Sequence, residues 1–216
     1  MTSIRYNDKI QFKMTIQIKI SNRPISYKYA ENYLEKRVKK VKEGKADELL
    51  WILEHPCTFT AGIRYKKEEI LDKKIILTPT KRGGKITLHN PGQKIIYFVL
   101  NLNHRKKDVR NLVSVIEISI IQFLKKYNIV AKADKKNIGI WVKENKIAAI
   151  GIRVSQWIAY YGCSININNN LKEYKKIVPC GLSNKKITSI YNEKKLEIKK
   201  VNKNIKEVFK YNLNKI

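Results

Sequence analysis

Acidic residues are scarce in this chain of 216 residues. Asp and Glu number 18 against 46 Lys and Arg, which gives a formal net charge of +28 at pH 7. A surface of this sign favours acidic partners, either a nucleic acid or an acidic protein. Most of the cations are lysine, whereas arginine is the residue that proteins prefer for reading phosphates and bases. We therefore expect no nucleic-acid partner, and biased residue usage is the simpler explanation of much of the charge.

Metal-binding patterns are absent as well. The three cysteines are an odd number, and no two of them have the spacing of a metal-binding pair. The three histidines also lack metal-ligand spacing, and the chain has no P-loop. We therefore expect no metal, no ATP and no other cofactor, and we expect a reduced, cytoplasmic setting. The cysteines are Cys57, Cys163 and Cys180, and the histidines are His55, His89 and His104.

Long apolar runs are missing too. No run approaches the ~20 residues that span a bilayer. A charge or an amide interrupts every apolar stretch of the first 20 residues, so a signal peptide is not expected. We therefore expect no membrane association and a single soluble catalytic domain over residues 1–216.

The patterning that is present predicts an α+β fold. Period-two alternation and short apolar runs predict strands, and apolar residues at helical spacing predict three helices. The first helix runs through Ala30 and Val41 and stops at Gly44, the second is capped by Asp108, and the third lies near the C-terminus around Val201. Because βαβ alternation is irregular, we expect a mixed or antiparallel sheet with flanking helices. The predicted strands cover residues 14–20, 49–53, 75–77, 86–88, 95–100, 138–142, 147–154 and 157–167, with a hairpin turn at Glu144-Asn145.

Residues 82–93, RGGKITLHNPGQ, form the first candidate site segment. Gly83 and Gly84 let a ligand approach the backbone, and their amides can face an anion or a carbonyl oxygen. Thr87 and His89 should point to the same face of the strand that follows. A plain hairpin connection would explain the two glycines equally well.

Two further segments carry a single reactive side chain each. Lys146 heads a strand of small residues that includes Ala149 and Gly151, which would leave room for an acyl chain or would simply pack tightly under a helix. Cys180 lies between Pro179 and Gly181, a sequence that would present a thiol on a turn. The alternative is an inert buried cysteine, which is the commoner role of this residue.

Taken together, the three segments resemble the lipoyl (octanoyl) transferase family. The runs Arg-Gly-Gly…Thr…His…Pro-Gly-Gln, Lys-Ile-Ala-Ala-Ile-Gly and Val-Pro-Cys-Gly occur in the family's order, and Leu53-Glu54-His55-Pro56 matches a further family segment. The likeness extends over roughly residues 48–192. It implies a fold like that of biotin and lipoate ligase catalytic domains. It also implies transfer of an octanoyl group, without a cofactor, from octanoyl-acyl carrier protein to a lysine of a lipoyl domain.

The resemblance also assigns roles to residues. It implies that Cys180 carries the acyl thioester and that Lys146 lowers the pKa of that thiol and acts as acid and base. The implied acceptors are the lipoyl domains of 2-oxoacid dehydrogenases and of the glycine cleavage protein. Gly83, Gly84 and Gly181 are candidate oxyanion donors. The implied substrate-binding residues are Arg82, Gly83, Gly84, Lys85, Ile86, Thr87, Leu88, His89, Ala149, Ile150, Gly151, Gly162, Cys163 and Ser164.

The chain departs from the family pattern at a few positions. Asn90 stands where Gly is usual, Tyr161 where His is common, and Cys163-Ser164 where Phe-Ala is typical. These differences leave the acyl-chain preference open, and His89 has a substrate-orienting or a structural role. Three alternative functions stay open at this stage. They are an ATP-dependent lipoate or biotin ligase on the same fold, a basic nucleic-acid-binding protein, and an inactive module that binds acyl carrier protein.

Overall fold

The chain folds around a mixed sheet that carries helices on both faces. The computed structural model describes residues 15–178, 186–195 and 198–216. The helices are α1 (Tyr27–Lys42), α2 (Val109–Lys125), α3 (Ile190–Lys194) and α4 (Val201–Leu213). The strands are β1 (Ile16–Ile20), β2 (Glu48–Leu53), β3 (Thr58–Ala61), β4 (Leu77–Pro79), β5 (Ile86–His89), β6 (Gln93–Asn101), β7 (Lys132–Ala133), β8 (Ile140–Val142), β9 (Asn145–Ser155), β10 (Ile158–Asn166) and β11 (Lys186–Ile187).

The main sheet has the strand order β1-β2-β6-β10-β9-β8-β7, and β11 pairs with β9. The β1–β2 and β11–β9 pairs are parallel, and the other pairs of this sheet are antiparallel. A smaller sheet has the order β4-β3-β5. The expectation of an α+β fold with a mixed sheet and flanking helices is confirmed.

Alternate residues of the central strand β6 point to opposite faces, and both faces are buried. Ile96, Phe98 and Leu100 pack in one apolar cluster with residues of α2 and α4, a side that we call the α2/α4 face. Ile95 and Tyr97 pack in a second cluster with α1, a side that we call the α1 face. Two covered faces explain why β6 is an almost continuous apolar run in the sequence.

Two predicted helix signals are confirmed. The Asp108 carboxylate accepts a hydrogen bond from the Asn111 backbone N–H at 2.9 Å and caps α2. Gly44 follows the end of α1 and has φ +68°, a conformation that favours glycine. Ser26, which the sequence analysis did not single out, caps α1 by accepting from the Tyr29 N–H at 3.2 Å.

Several element bounds differ from the prediction. The strand expected at residues 75–77 begins at Leu77, because Ile76 is 88% exposed and does not join the sheet. The strand expected at residues 138–142 begins at Ile140, because Gly139 at φ +144° interrupts the extended backbone. The four-residue β3, Thr-Phe-Thr-Ala, and the two-residue β7 were not predicted. Met14 lies outside the described residues. Among the described residues, no helix combines the length and the apolar character that a membrane span requires.

Candidate active site

A cavity of about 400 Å³ opens on the α1 face of the main sheet. Its walls come from β5, β6, β9, β10, the segment after β3 and the loops that precede β5 and β8. Most residues that the sequence analysis named for substrate binding meet here, together with Lys146. The ones that line the cavity are Arg82, Gly84, Lys85, Thr87, His89, Ala149, Ile150, Gly151, Gly162, Cys163 and Ser164.

Three of the named residues do not line this cavity. Ile86 and Leu88 are fully buried and pack with Phe59 and Tyr174 on the opposite face of β5. Thr87 and His89 point into the cavity because side chains alternate along a strand. Gly83 lies against β9, where its N–H donates to the Ile152 carbonyl at 3.3 Å. That amide is therefore already used by the fold, which argues against Gly83 as an oxyanion donor.

Gly151 leaves room for the backbone of the Arg82–Gly83 loop, which is a different use of small residues from the one predicted. A Cβ on Gly151 would lie 3.2 Å from the Gly83 carbonyl oxygen. A Cβ on Gly83 would lie 2.8 Å from the Ile152 carbonyl oxygen. The loop and β9 are thus in close backbone contact, and this contact places the loop at the cavity edge.

Arg82 is 8% exposed and holds the loop in shape. One terminal nitrogen donates to the Gly83 carbonyl at 3.0 Å. The other donates to the Thr60 carbonyl at 2.9 Å, the Thr60 hydroxyl at 2.8 Å and the Lys85 carbonyl at 2.9 Å. A buried guanidinium needs such partners, since an unpaired buried charge is costly. Arg82 therefore shapes the cavity wall through the backbone that it binds.

Lys146 is buried at 4% exposure near the start of β9, with its amine at the cavity wall. Its Nζ donates to the Ile138 carbonyl at 2.8 Å and lies 5.5 Å from the centre of the Trp141 ring. A lysine at the head of a strand commonly points to solvent, whereas this one is buried. A buried primary amine in a cavity can exchange a proton with a reacting group, provided that the group comes within hydrogen-bonding distance.

His89 at the cavity wall and His55 behind it form a buried polar pair, with ring centroids 5.6 Å apart. His89 Nδ1 donates to Gln93 Oε1 at 2.8 Å, because the Gln93 Nε2 group is used as a donor, at 2.8 Å, to Asn166. Burial, with smaller contributions from His55 and Arg82, holds the pKa of His89 well below 6.5. Burial likewise lowers the pKa of His55 to about 4. Both imidazoles are therefore neutral at pH 7.

The remaining wall of the cavity is apolar and aromatic, and the sequence analysis did not predict it. Ile95, Tyr97 and Tyr161 line this side. The Tyr161 hydroxyl donates to Glu31 of α1 at 2.9 Å, which joins α1 to the wall. Tyr161 has φ +65°, so the regular alternation of β10 is interrupted at this residue. No periodicity in the sequence reveals such an interruption.

The cysteines are placed differently from one another. The Cys163 side chain packs in the α2/α4 cluster, and burial raises the pKa of its thiol. Cys57 is exposed. Cys180 and Gly181 lie outside the described residues, so their predicted roles stay predictions. The described residues on either side are Val178, whose N–H donates to the Glu69 carbonyl at 2.7 Å, and Lys186, which pairs with Asn145.

Comparison with known proteins identifies the family. Residues 26–210 match the model of the lipoyl protein ligase A/B catalytic domain. This chain belongs to that family. It is also 41% identical over 191 residues to an octanoyltransferase of Bartonella tribocorum, an alignment that covers 82% of this chain and 78% of the relative.

Solved structures of lipoyl protein ligase A/B and related proteins share the fold. A lipoate-protein ligase A bound with ATP superposes with a TM-score of 0.77 at 15% identity, covering 93% of this chain and 86% of that one. The biotin protein ligase of Aquifex aeolicus superposes with a TM-score of 0.54 at 14% identity, covering 94% and 70%. The expected likeness to biotin and lipoate ligase catalytic domains is confirmed for the fold.

Proposed function

We propose that this member of the lipoyl protein ligase A/B family is an octanoyltransferase that acts in protein lipoylation. It moves an octanoyl group from octanoyl-acyl carrier protein to a lysine of a lipoyl domain. One observation carries the proposal. In this chain, which is 41% identical to an octanoyltransferase, Lys146 is only 4% exposed and lines a cavity of about 400 Å³.

In the first half-reaction, the Cys180 thiolate attacks the carbonyl carbon of the octanoyl thioester on the carrier. The carbon–sulfur bond to the carrier breaks, and the carrier leaves as a thiol after it takes up one proton. A free cysteine has a pKa of about 8.5, so a nearby ammonium is needed to raise the thiolate fraction at pH 7. Lys146 supplies that charge and then the proton.

In the second half-reaction, the neutral amine of the target lysine attacks the carbonyl carbon of the acyl-enzyme. The bond to Cys180 breaks, an amide forms, and the proton released from the attacking amine passes to Lys146. Thioester exchange is close to balanced and amide formation runs downhill, so the cycle uses no ATP. Backbone amides near the cavity, with Gly84 and Gly181 as the candidates, hold the oxyanion.

Chain connectivity supports a location of Cys180 near the cavity. Lys85 lines the cavity and pairs at 2.8 Å with Glu69, whose carbonyl accepts from the Val178 N–H. Beyond residue 185, the Thr188 N–H donates to the Lys146 carbonyl at 2.9 Å. Cys180 is two residues from Val178, and a chain extends at most about 3.6 Å per residue. The described residues on the two sides of Cys180 are thus bonded to Lys146 or to an ion-pair partner of Lys85, and both lysines line the cavity.

The surroundings of the cavity fit both proposed partners. Ile95, Tyr97 and Tyr161 offer an apolar wall to an acyl chain. Arg64 and Lys136 are exposed at the cavity edge and would favour acidic carrier and lipoyl domains. We propose the lipoyl domains of 2-oxoacid dehydrogenases and of the glycine cleavage protein as acceptors. We also propose a cytoplasmic location and one domain over residues 1–216.

Intact-protein mass spectrometry after incubation with octanoyl-acyl carrier protein tests the covalent route. We expect the wild-type chain to gain the mass of one octanoyl group, and Cys180→Ala to gain none. Cys57→Ala is the matched control, since Cys57 is exposed and should leave the adduct unchanged. An adduct that persists in Cys180→Ala and disappears in Cys57→Ala would reject the assignment.

Replacement of the lysine tests its role. Lys146→Ala should lower the rate of octanoyl transfer by about 10²-fold or more, the usual contribution of a positioned acid or base. Lys143→Ala, on the exposed turn before β9, should leave the rate within twofold. A normal rate in Lys146→Ala would remove Lys146 from the mechanism.

An ATP-dependent ligase is the second candidate, because a lipoate-protein ligase bound with ATP shares the fold. Such an enzyme would activate a free acid as an adenylate. An assay with free octanoate, ATP and a lipoyl domain separates the two functions. We expect no ATP-dependent product, and product formation from free octanoate would favour the ligase.

A further inference from the structure

The segment at residues 137–141 surrounds the amine of Lys146. The Ile138 carbonyl accepts from Lys146 Nζ at 2.8 Å, and the Trp141 ring lies 5.5 Å from the same nitrogen. Trp141 also pairs in register with Lys146 across β8 and β9, next to a shift of register between Ile140 and Trp141. The lysine side chain thus folds back over the strand that precedes it.

Gly139 is the point of closest approach in this segment. A Cβ built on Gly139 would overlap Lys146 Cε and would lie 3.0 Å from Lys146 Nζ. It would also lie 2.7 Å from the Ala148 carbonyl oxygen. Gly139 has φ +144°, which L side chains rarely adopt. Any other residue at this position would occupy the space that the lysine side chain uses.

The segment has little freedom to move away. The Trp141 indole N–H donates to the Asn137 carbonyl at 3.0 Å. One Asp134 carboxylate oxygen accepts from the backbone N–H groups of Lys136 at 2.8 Å and Asn137 at 3.1 Å. These bonds hold both ends of the segment, so a side chain at residue 139 would displace the flexible end of the lysine side chain and would also press against the Ala148 carbonyl oxygen.

We propose that Gly139 is a positioning residue for the transfer reaction. By lacking a side chain, it lets the Lys146 amine sit against the Ile138 carbonyl at the cavity wall. The inference rests on the proposed function for the role of Lys146 in the reaction. The claim that Gly139 fixes the position of the Lys146 side chain, which we call the seating of the lysine, can be tested without an activity assay.

The kinetic test compares Gly139→Ala with Gly44→Ala. Both glycines have positive φ, at +144° and +68°, but a Cβ on Gly44 meets nothing within 4 Å, so Gly44→Ala controls for replacement of a positive-φ glycine that contacts no neighbouring side chain. A displacement of about 1 Å can cost 10²-fold in rate. We expect Gly139→Ala to lower kcat by about that factor with KM within twofold, and Gly44→Ala to change neither. A normal kcat in folded Gly139→Ala would overturn the proposal.

A second measurement does not depend on activity, so it tests the proposal even if Gly139→Ala is unstable or the proposed mechanism is wrong. Thermal unfolding of Gly139→Ala, Lys146→Ala and the double variant forms a double-mutant cycle. We expect the loss of Tm caused by Gly139→Ala to be smaller in the Lys146→Ala background, because the contact with the lysine side chain is removed there, while the contact with the Ala148 carbonyl oxygen remains in both backgrounds. Equal losses in the two backgrounds would overturn the proposal.

The kinetic test and the unfolding cycle together distinguish a failure of the proposed mechanism from a failure of the proposed role of Gly139. A fully active Lys146→Ala enzyme would reject the proposed mechanism, while coupling in the unfolding cycle would still support seating of the lysine by Gly139. The rate at which acetic anhydride acetylates Lys146 in the folded protein, measured by peptide mass spectrometry, also reports whether Gly139 fixes the position of the lysine side chain. This rate should rise in Gly139→Ala and stay unchanged in Gly44→Ala, and an unchanged rate in both variants would count against the seating.

Discussion

The two faces of the main sheet differ in what they bury. The α2/α4 face is a continuous aliphatic and aromatic cluster that includes Phe98, Ile120 and Phe123, all fully buried. The α1 face instead surrounds a cavity and buries groups that can ionise or donate, among them His89 and Lys146. Apolar packing stabilises without direction, whereas buried polar groups need specific partners. One face therefore contributes most of the packing, and the other carries the site.

The first prediction tests this division through large-to-small substitutions. Phe123→Ala removes a fully buried ring from the α2/α4 face and should cost about 3–5 kcal/mol of unfolding free energy. Ile95 already borders the cavity, so Ile95→Ala should cost less, about 2 kcal/mol. Octanoyl transfer per folded molecule should be unchanged in Phe123→Ala and altered in Ile95→Ala. Denaturant unfolding and rate measurements on the folded fraction check both parts.

A loss of rate in Phe123→Ala would contradict the division of roles between the two faces. If Phe123→Ala lowered the rate per folded molecule as much as Ile95→Ala, the two faces would be coupled in function. The sheet would then be a single unit in which packing on one side controls the site on the other.

The fold was largely predictable because its main elements bury regular apolar patterns. The helical spacing of Leu112, Ile116, Ile120 and Phe123 corresponds to the buried stripe of α2. The cap at Asp108 was also visible in the sequence. β3 was missed because its burial comes from the small second sheet, which no local pattern announces. Ile76 was misassigned for the converse reason, since an apolar residue next to a strand can remain exposed.

The candidate site was predictable only through resemblance and alternation. Alternation along β5 correctly predicted that Thr87 and His89 point to one face. The family resemblance singled out Lys146, which lines the same cavity. The aromatic wall at Tyr161 depends on a positive φ in the middle of a strand, and Gly139 acts through a contact between strands. Neither effect leaves a periodic trace in the sequence, so both required the structure.

The second prediction concerns pH and is specific to the α1 face. Burial lowers the pKa of His55 to about 4 and the pKa of His89 well below 6.5. Between about pH 6.5 and 4 the unfolded state therefore binds more protons than the native state, so stability falls as the pH falls. From pH 7 to pH 5 His55 should account for about 2 kcal/mol of lost unfolding free energy, and His89 should add a loss of the same sign.

Matched variants isolate this contribution from that of the carboxylates. His55→Gln should flatten the dependence of unfolding free energy on pH between 7 and 5, whatever its effect on stability at pH 7. His104→Gln serves as the control because His104 is exposed and does not line the cavity. The assignment to the α1 face is wrong if the two variants retain the same slope as the wild-type chain.

The third and smallest effect compares the N-caps of the helices on the two faces. Asp108→Ala removes the cap of α2, and Ser26→Ala removes that of α1, so each should cost about 1 kcal/mol of unfolding free energy. The first turn of α1 holds Tyr27, whose ring stacks on His89 with centroids 5.9 Å apart. Ser26→Ala should therefore also lower the rate of octanoyl transfer several-fold, because fraying of that turn loosens the wall behind the cavity. Asp108→Ala should leave the rate unchanged, and equal rates in the two variants would show that the first turn of α1 does not position His89.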